Sequence, residues 1–186
     1  ALAPAGARIV ALRASGVAEL AAEMASAYGR MSGGAEEASL GYQPSSEVAS
    51  SDELLGLLQA GRARDLQAGT TLCGPHRDDL RFGVRGADAG NFASEGQQRS
   101  AVLALRLAQA AWFQRRSGVR PVLLADDVLG ELDPGRRERF WAAMDPESQV
   151  IATGTRRPDR ALGDWQVFSV AAGAFSHDPA GMEAAD

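Results

Sequence analysis

Pro121-Val122-Leu123-Leu124-Ala125 is an unbroken apolar run that ends on two adjacent carboxylates, Asp126 and Asp127. An apolar run this short, without polar alternation, predicts a strand covered on both faces of a parallel sheet. Asp133-Pro134 then supplies an N-cap and a first-turn proline for a helix through about Met144, and Gln149 to Thr153 reads as the next strand. Strand, helix, strand in that order is a βαβ unit, so the chain is predicted to be α/β, with a partly parallel sheet and flanking helices. Ligands of such sheets sit beyond the carboxyl ends of the strands, where Asp126 and Asp127 stand.

The upstream pattern is more helical. Ile9, Leu12, Val17, Leu20 and Met24 recur at helical spacing between Ala7 and Ala27, which predicts an amphipathic helix ended by Gly33-Gly34. Leu40 to Pro44 reads as a short strand, and Ser45, Ser46 and Asp52 offer caps for a helix carrying Leu54, Leu55, Leu57 and Leu58. Thr70 to Cys73 is β-prone. Leu80, Phe82 and Val84 alternate with polar residues as in a half-exposed strand, with a turn over Gly86 to Gly90. A second architecture is expected from about Ser94, where the broadly apolar stretch Gln97 to Arg116 fits a buried helix stopped by Ser117-Gly118. Trp165 to Val170 suggests a last strand, and the small, acidic residues from Ala171 onward predict no order.

Composition removes several functions. All 19 basic residues are arginine, which excludes a complete G-x-x-x-x-G-K-[ST] phosphate loop, a Schiff-base enzyme and a lysine nucleophile. Cys73 has no second cysteine to pair with, and with only His76 and His177 beside it a structural zinc site is not expected. A reducing, cytoplasmic setting is therefore the expectation, with no membrane partner, since no apolar run approaches the ~18–20 residues that cross a bilayer. The chain opens Ala-Leu-Ala-Pro without methionine or leader, so its natural start is expected to be missing or processed.

Two segments carry chemistry. At the end of a strand, Asp126 suits Mg²⁺, and Asp127 suits orienting or deprotonating an attacking water; alternatively the two acids merely begin a solvated loop. Ser94-Glu95-Gly96-Gln97 stands directly before the long helix, where unpaired amides and the helix dipole favour a phosphate, although a serine there also serves as a plain N-cap. His76, Asp78 and Asp79 are possible metal ligands, but lie too close together in an extended segment to converge easily on one ion. The other reading has Arg77 paired with an acid or a phosphate while Gly74-Pro75 sets a turn. Cys73 reads as a small hydrophobe. The arginine groups 115/116/120, 136/137/139 and 156/157/160 are either solvated faces or phosphate contacts, within a chain of net charge −5.

Ser94-Glu95-Gly96-Gln97-Gln98 resembles the signature motif of ABC-type ATPases, Leu123-Leu124-Ala125-Asp126-Asp127 their Walker B, and Gly130-Glu131-Leu132-Asp133 their D-loop. With Gly74-Pro75-His76-Arg77-Asp78-Asp79-Leu80 and Phe92 to Arg99 in the same order, the chain resembles the RecF family, relatives of the SMC ATPases, most closely over residues 70 to 155. The resemblance implies the carboxy-terminal lobe of an ABC ATPase head within the P-loop NTPase superfamily, with Walker A on another part of the protein. It divides the chain into a returning arm helix and connecting segment (1–69), the ATPase lobe (70–170) and a tail expected to be disordered (171–186). It further implies an ATP-dependent homodimer in which Ser94, Gly96 and Gln97 act in trans on a terminal phosphate. Asp126 and Asp127 act in cis on Mg²⁺ and water, and Asp133 sits at the dimer seam. The implied role is recognition of gapped DNA, at single-stranded/double-stranded junctions, with RecO and RecR, promoting RecA loading. The implied activity is a slow, DNA-stimulated ATPase of the whole dimer, which this chain alone is not expected to show.

Three departures qualify the likeness. Asp127 stands where many ABC enzymes use glutamate, which suits slow hydrolysis; Glu95 replaces the first signature glycine and puts negative charge near a phosphate. Thr153-Gly154-Thr155 stands where transporter ATPases have a switch histidine, so phosphate sensing there would be by a hydroxyl, unless the segment is only a turn. Other readings remain: another SMC-like ABC ATPase of DNA maintenance, a metal-dependent phosphoesterase using Asp126, Asp127 and His76, or a scaffold whose ATPase residues are relics.

Overall fold

A computed structural model describes residues 2–128, 132–155, 157–158 and 163–178. The chain divides into two compact units, Ala1–Pro121 and Val122–Asp186.

The first unit is organised by α1 (Leu2–Ser32). Its carboxyl-terminal third buries Met24, Ala27, Tyr28 and Met31 at the i, i+3, i+4, i+7 spacing of one helix face, and these are among the most enclosed side chains in the protein. The amide of Gly34 donates to the Gly29 carbonyl to close the last turn. Near the other end, Gly6 is buried, and a Cβ there would come within 2.7 Å of Leu54 Cδ2; the missing side chain lets α1 approach α2 (Ser51–Ala68) closely. The cap of α2 is Ser50, whose side chain accepts from the Glu53 amide, and not Ser45, Ser46 or Asp52. Ser45 is instead bonded to Gly74 and Asp78, and so is unavailable to cap a helix.

β1 (Ala38–Gln43), β2 (Asp79–Val84) and β3 (Ala87–Asp88) form an antiparallel sheet in that order, with Leu40 opposite Phe82. Thr70 to Cys73 forms no strand, because its backbone leads into a one-turn 3₁₀ helix, Pro75–Arg77, stabilised by its own side chains. After the short α3 (Ala89–Phe92) comes α4 (Glu95–Ser117), stopped at Gly118. The expectation of a buried helix does not hold. Only Ser100, Ala101, Ala104 and Ala108 are buried, whereas Val102 and Phe113 are about half exposed. Alanines made the stretch read as apolar on every side, but only one small-residue stripe is buried against a neighbour. That neighbour is α1: Glu19 accepts from Trp112 Nε1 at 2.7 Å, and Glu23 pairs with Arg115 at 2.7 Å. No break in architecture therefore falls at Ser94.

The second unit contains the parallel pair β4 (Leu123–Ala125) and β5 (Val150–Ala152), in register Leu123 to Val150 and Ala125 to Ala152. Between them α5 (Pro134–Ala142) buries Phe140, and Trp141 packs edge-on against Trp165 at 4.9 Å. The strands are not covered on both faces: Leu124 is 78% exposed and its register partner Ile151 53%. The two strands have no third strand beside them among the described residues, so the apolar pattern exceeds what this unit buries. β6 (Val167–Ala171) turns through Ala172-Gly173, both at positive φ, into β7 (Ala174–Asp178). A two-residue turn of that hand matches strand twist, so residues 174–178 are ordered where aperiodic composition predicted no structure. Residues 179–186 of the expected tail lie outside the described residues.

Candidate functional site

In the second unit, β4 ends at Ala125 and releases Asp126 and Asp127 at its carboxyl end. Thr153 stands at the same end of β5. Its amide donates to the Ala125 carbonyl at 2.9 Å, extending the parallel ladder by one bond. Its hydroxyl donates to Asp126 Oδ1 at 2.5 Å and accepts from the Asp127 amide at 3.1 Å. One hydroxyl thus holds the Asp126 carboxylate and the Asp127 backbone. Asp127 has φ 52°, in the left-handed region that costs most residues energy but that aspartate tolerates better. The Thr153 bond helps hold that conformation, which turns the chain sharply after Asp126. The hydroxyl's single proton is directed to Asp126, so Thr153 acts on the acid pair.

Asp126 fits Mg²⁺. Its Oδ2 makes no hydrogen bond to a described residue, and the side chain is exposed. Among the described residues no three His, Cys, Asp or Glu side chains gather as a metal cage, so a cation at Asp126 would draw its other ligands from water and phosphate, which is how Mg²⁺ is commonly held. Asp133 caps α5, accepting from the Arg136 amide at 2.9 Å, with Arg136 Nε 3.3 Å from its other oxygen. Gly130 and Glu131 lie outside the described residues, as do Arg156 and Arg160.

In the first unit, Ser94 caps α4. Its hydroxyl accepts from the Gln97 amide at 3.3 Å, and Gln97 Oε1 accepts from the Ser94 amide at 2.8 Å, a reciprocal capping box. Gln98 folds back onto the carbonyls of Ala89 and Ala93, at 3.0 and 3.2 Å, which clamps the entry to the helix. Gly96 lies in the first turn and its carbonyl accepts from Ser100 Oγ. Glu95 pairs with Arg99 one turn on, at 2.6 Å, so the charge expected to repel a phosphate is locally offset. Ser94, Gly96 and Gln97 are brought together, and Asp126 and Asp127 are brought together, each set within its own unit.

The segment Gly74 to Asp79 holds no metal arrangement among the described residues. His76 Nε2 lies 2.9 Å from the Thr71 carbonyl, and Arg77 donates to that carbonyl and to the Thr70 hydroxyl, where an acid or a phosphate was expected as its partner. Asp78 is the centre of a junction instead. Tyr42 OH and Arg13 both donate to its Oδ2, the Ser45 amide donates to Oδ1 at 2.9 Å, and Arg13 also donates to the Pro75 carbonyl. Burial, then the hydrogen bond to Asp78, push the Tyr42 hydroxyl up to about 12. Burial alone would raise Asp78, but its hydrogen bonds from Tyr42, Ser45 and Arg13 hold it below the usual carboxylate range. Cys73 is half-buried with its sulfur 3.0 Å from Ser46 Oγ. These contacts join residues far apart in the chain, and no local pattern marks them.

No helix among the described residues is long and apolar enough to cross a membrane. No protein-family model matches the chain. It is, however, 41% identical over 166 residues to the DNA replication and repair protein RecF of Chloroflexus aurantiacus, covering 85% of this chain and 42% of that protein. The RecF of Moorella thermoacetica is 46% identical over 136 residues, covering 73% and 36%, and that of Synechocystis 38% over 177, covering 90% and 46%. Solved structures of the recombination mediator protein RecF in the RecFOR pathway, with ATP and with ATPrS, match with TM-scores of 0.78 and 0.77. Each is 27% identical and covers 95% of this chain and 48% of the solved one. The chain thus spans less than half the length of these curated relatives. By these identities and by a backbone that matches over 95% of its length, the chain belongs to the RecF family of ABC-type ATPases.

Proposed function

We propose that this chain supplies the signature and Walker B elements of a RecF-type ATPase that acts in DNA replication and repair. The observation that carries the reading is the acid pair at the carboxyl end of β4, where Thr153 bonds the Asp126 carboxylate and the Asp127 amide. Asp126 would hold Mg²⁺, directly or through water. Asp127, turned by its left-handed backbone, orients or deprotonates the attacking water; its side chain is shorter than glutamate, which suits a slow switch. ATP bound with Mg²⁺ supplies the phosphoryl group and the charge that this machinery stabilises. The phosphate-binding loop comes from elsewhere in the protein, since the chain has no lysine. Ser94, Gly96 and Gln97 face a terminal phosphate of the second subunit in an ATP-dependent homodimer, with Asp133 near its seam. The dimer recognises gapped DNA and works with RecO and RecR to promote RecA loading. In the complete protein, Asp127→Asn is expected to retain ATP-dependent assembly, read by light scattering, and to stop hydrolysis, whereas Ser94→Arg abolishes assembly. Unchanged assembly and turnover in both variants would remove the reading and favour a scaffold.

A further inference from the structure

Gln97 is held at both ends of its amide. Oε1 accepts from the Ser94 amide, and Nε2 donates to Glu36 Oε1 at 2.6 Å. Glu36 is 61 residues away, in the turn after α1, and its Oε2 accepts at 2.8 Å from the hydroxyl of Tyr28, which is fully buried on α1. Its own backbone is fixed as well, the Ser32 hydroxyl reaching its carbonyl at 3.1 Å. A carboxylate that accepts from an amide is a strong, charge-assisted partner, and here it is half-buried and rigidly mounted. Without Glu36, the Gln97 side chain keeps only the capping-box bond, and its terminal torsion is free to turn the amide over.

We propose that Glu36, backed by Tyr28, is a positioning residue for the signature segment: it fixes the orientation of the Gln97 amide and thereby the geometry of the Ser94 to Gln97 turn that meets nucleotide. The inference rests on the function proposed above for Ser94, Gly96 and Gln97. It also links α1 to that turn, because Tyr28 moves with the helix while Glu36 holds the glutamine.

The capping box makes the test specific. Glutamate serves at the third helical position as well as glutamine does, so Gln97→Glu keeps the cap but sets two carboxylates against each other. Adding Glu36→Gln restores a donor: the amide nitrogen it introduces donates to the new carboxylate at position 97, while its oxygen still accepts from Tyr28. In the complete protein, the ATP concentration for half-maximal dimerisation is expected to rise about ten-fold in Q97E and to return to within about three-fold of wild type in E36Q/Q97E. Near-normal assembly of Q97E, or a double variant no better than Q97E, would overturn the proposal when Ser94→Arg in the same series abolishes the dimer. If Ser94→Arg has no effect, the sandwich reading fails, and amide exchange decides Glu36 separately. Glu36→Ala should then speed exchange at Ser94 about ten-fold while the mid-helix amides of α4 stay unchanged; unchanged exchange at Ser94 overturns it.

Discussion

Thr153→Val removes one oxygen and replaces it with a methyl of similar size. Two bonds are lost: a charge-assisted one to Asp126 Oδ1 at 2.5 Å and a neutral one from the Asp127 amide at 3.1 Å. Bonds to charged groups contribute about 1.5–3 kcal/mol and neutral ones about 0.5–1.5 kcal/mol. Thr153 and both acids are exposed, so water replaces part of each, and about 1–2 kcal/mol of ordering at the acid pair is the reasonable loss. If that ordering is used in the transition state, turnover should fall about 5- to 30-fold, at roughly ten-fold per 1.36 kcal/mol. Thr153→Ser keeps the hydroxyl and should stay within about three-fold. The assay is single-turnover ATP hydrolysis by the complete protein at saturating nucleotide, with binding measured separately. A T153V rate within two-fold of wild type would refute the view that the hydroxyl orders the acids for chemistry.

Three further outcomes are expected. Tyr42 stays protonated in the fold to about 12 against an ordinary 10.0, so the stability it lends is complete below pH 10 and lost as pH rises towards 12. Asp78, lowered, contributes above the ordinary carboxylate range and loses its contribution as pH falls through its folded value. Melting curves across pH should therefore show an alkaline fall that Tyr42→Phe abolishes; a persistent fall would implicate another group. Asp133→Ala should destabilise the start of α5 by about 1 kcal/mol and Asp133→Asn far less, read by amide exchange at Arg136, because asparagine caps nearly as well. Leu124→Asp should cost at least about 2 kcal/mol in the complete protein if that face is covered there, but little in this chain alone, where Leu124 is 78% exposed.

Local chemistry was legible in the sequence. The run into Asp126-Asp127, the Asp133-Pro134 helix start and the alternation from Leu80 to Val84 each depend on neighbours in the chain, and each formed as its pattern implied. Ser94 was legible in kind, since a serine before a helix caps it whatever else it does. Burial was less legible: the alanines of α4 read as core on every side, and β4 and β5 read as covered strands although Leu124 and Ile151 are bare in this chain. Contacts across long separations left no mark. Glu36 meeting Gln97, Arg13 and Tyr42 meeting Asp78, and Thr153 tying the acid pair all arise from how elements pack. Thr153 was noticed for its place after a strand, but its task followed only from the parallel register that sets it beside Ala125.

In the proposed dimer, the signature serine of one subunit completes the site whose acids belong to the other. Mixing two inactive variants of the complete protein, Ser94→Ala and Asp127→Asn, tests it directly. In a mixed two-fold dimer, one site receives wild-type Ser94 from one subunit and wild-type Asp127 from the other, while the second site lacks both. Random pairing makes about half the dimers mixed, so the account predicts recovery of roughly a quarter of the wild-type ATP turnover from two preparations that are each inactive. Mixtures that stay as inactive as their parts, although the subunits exchange, would contradict action in trans.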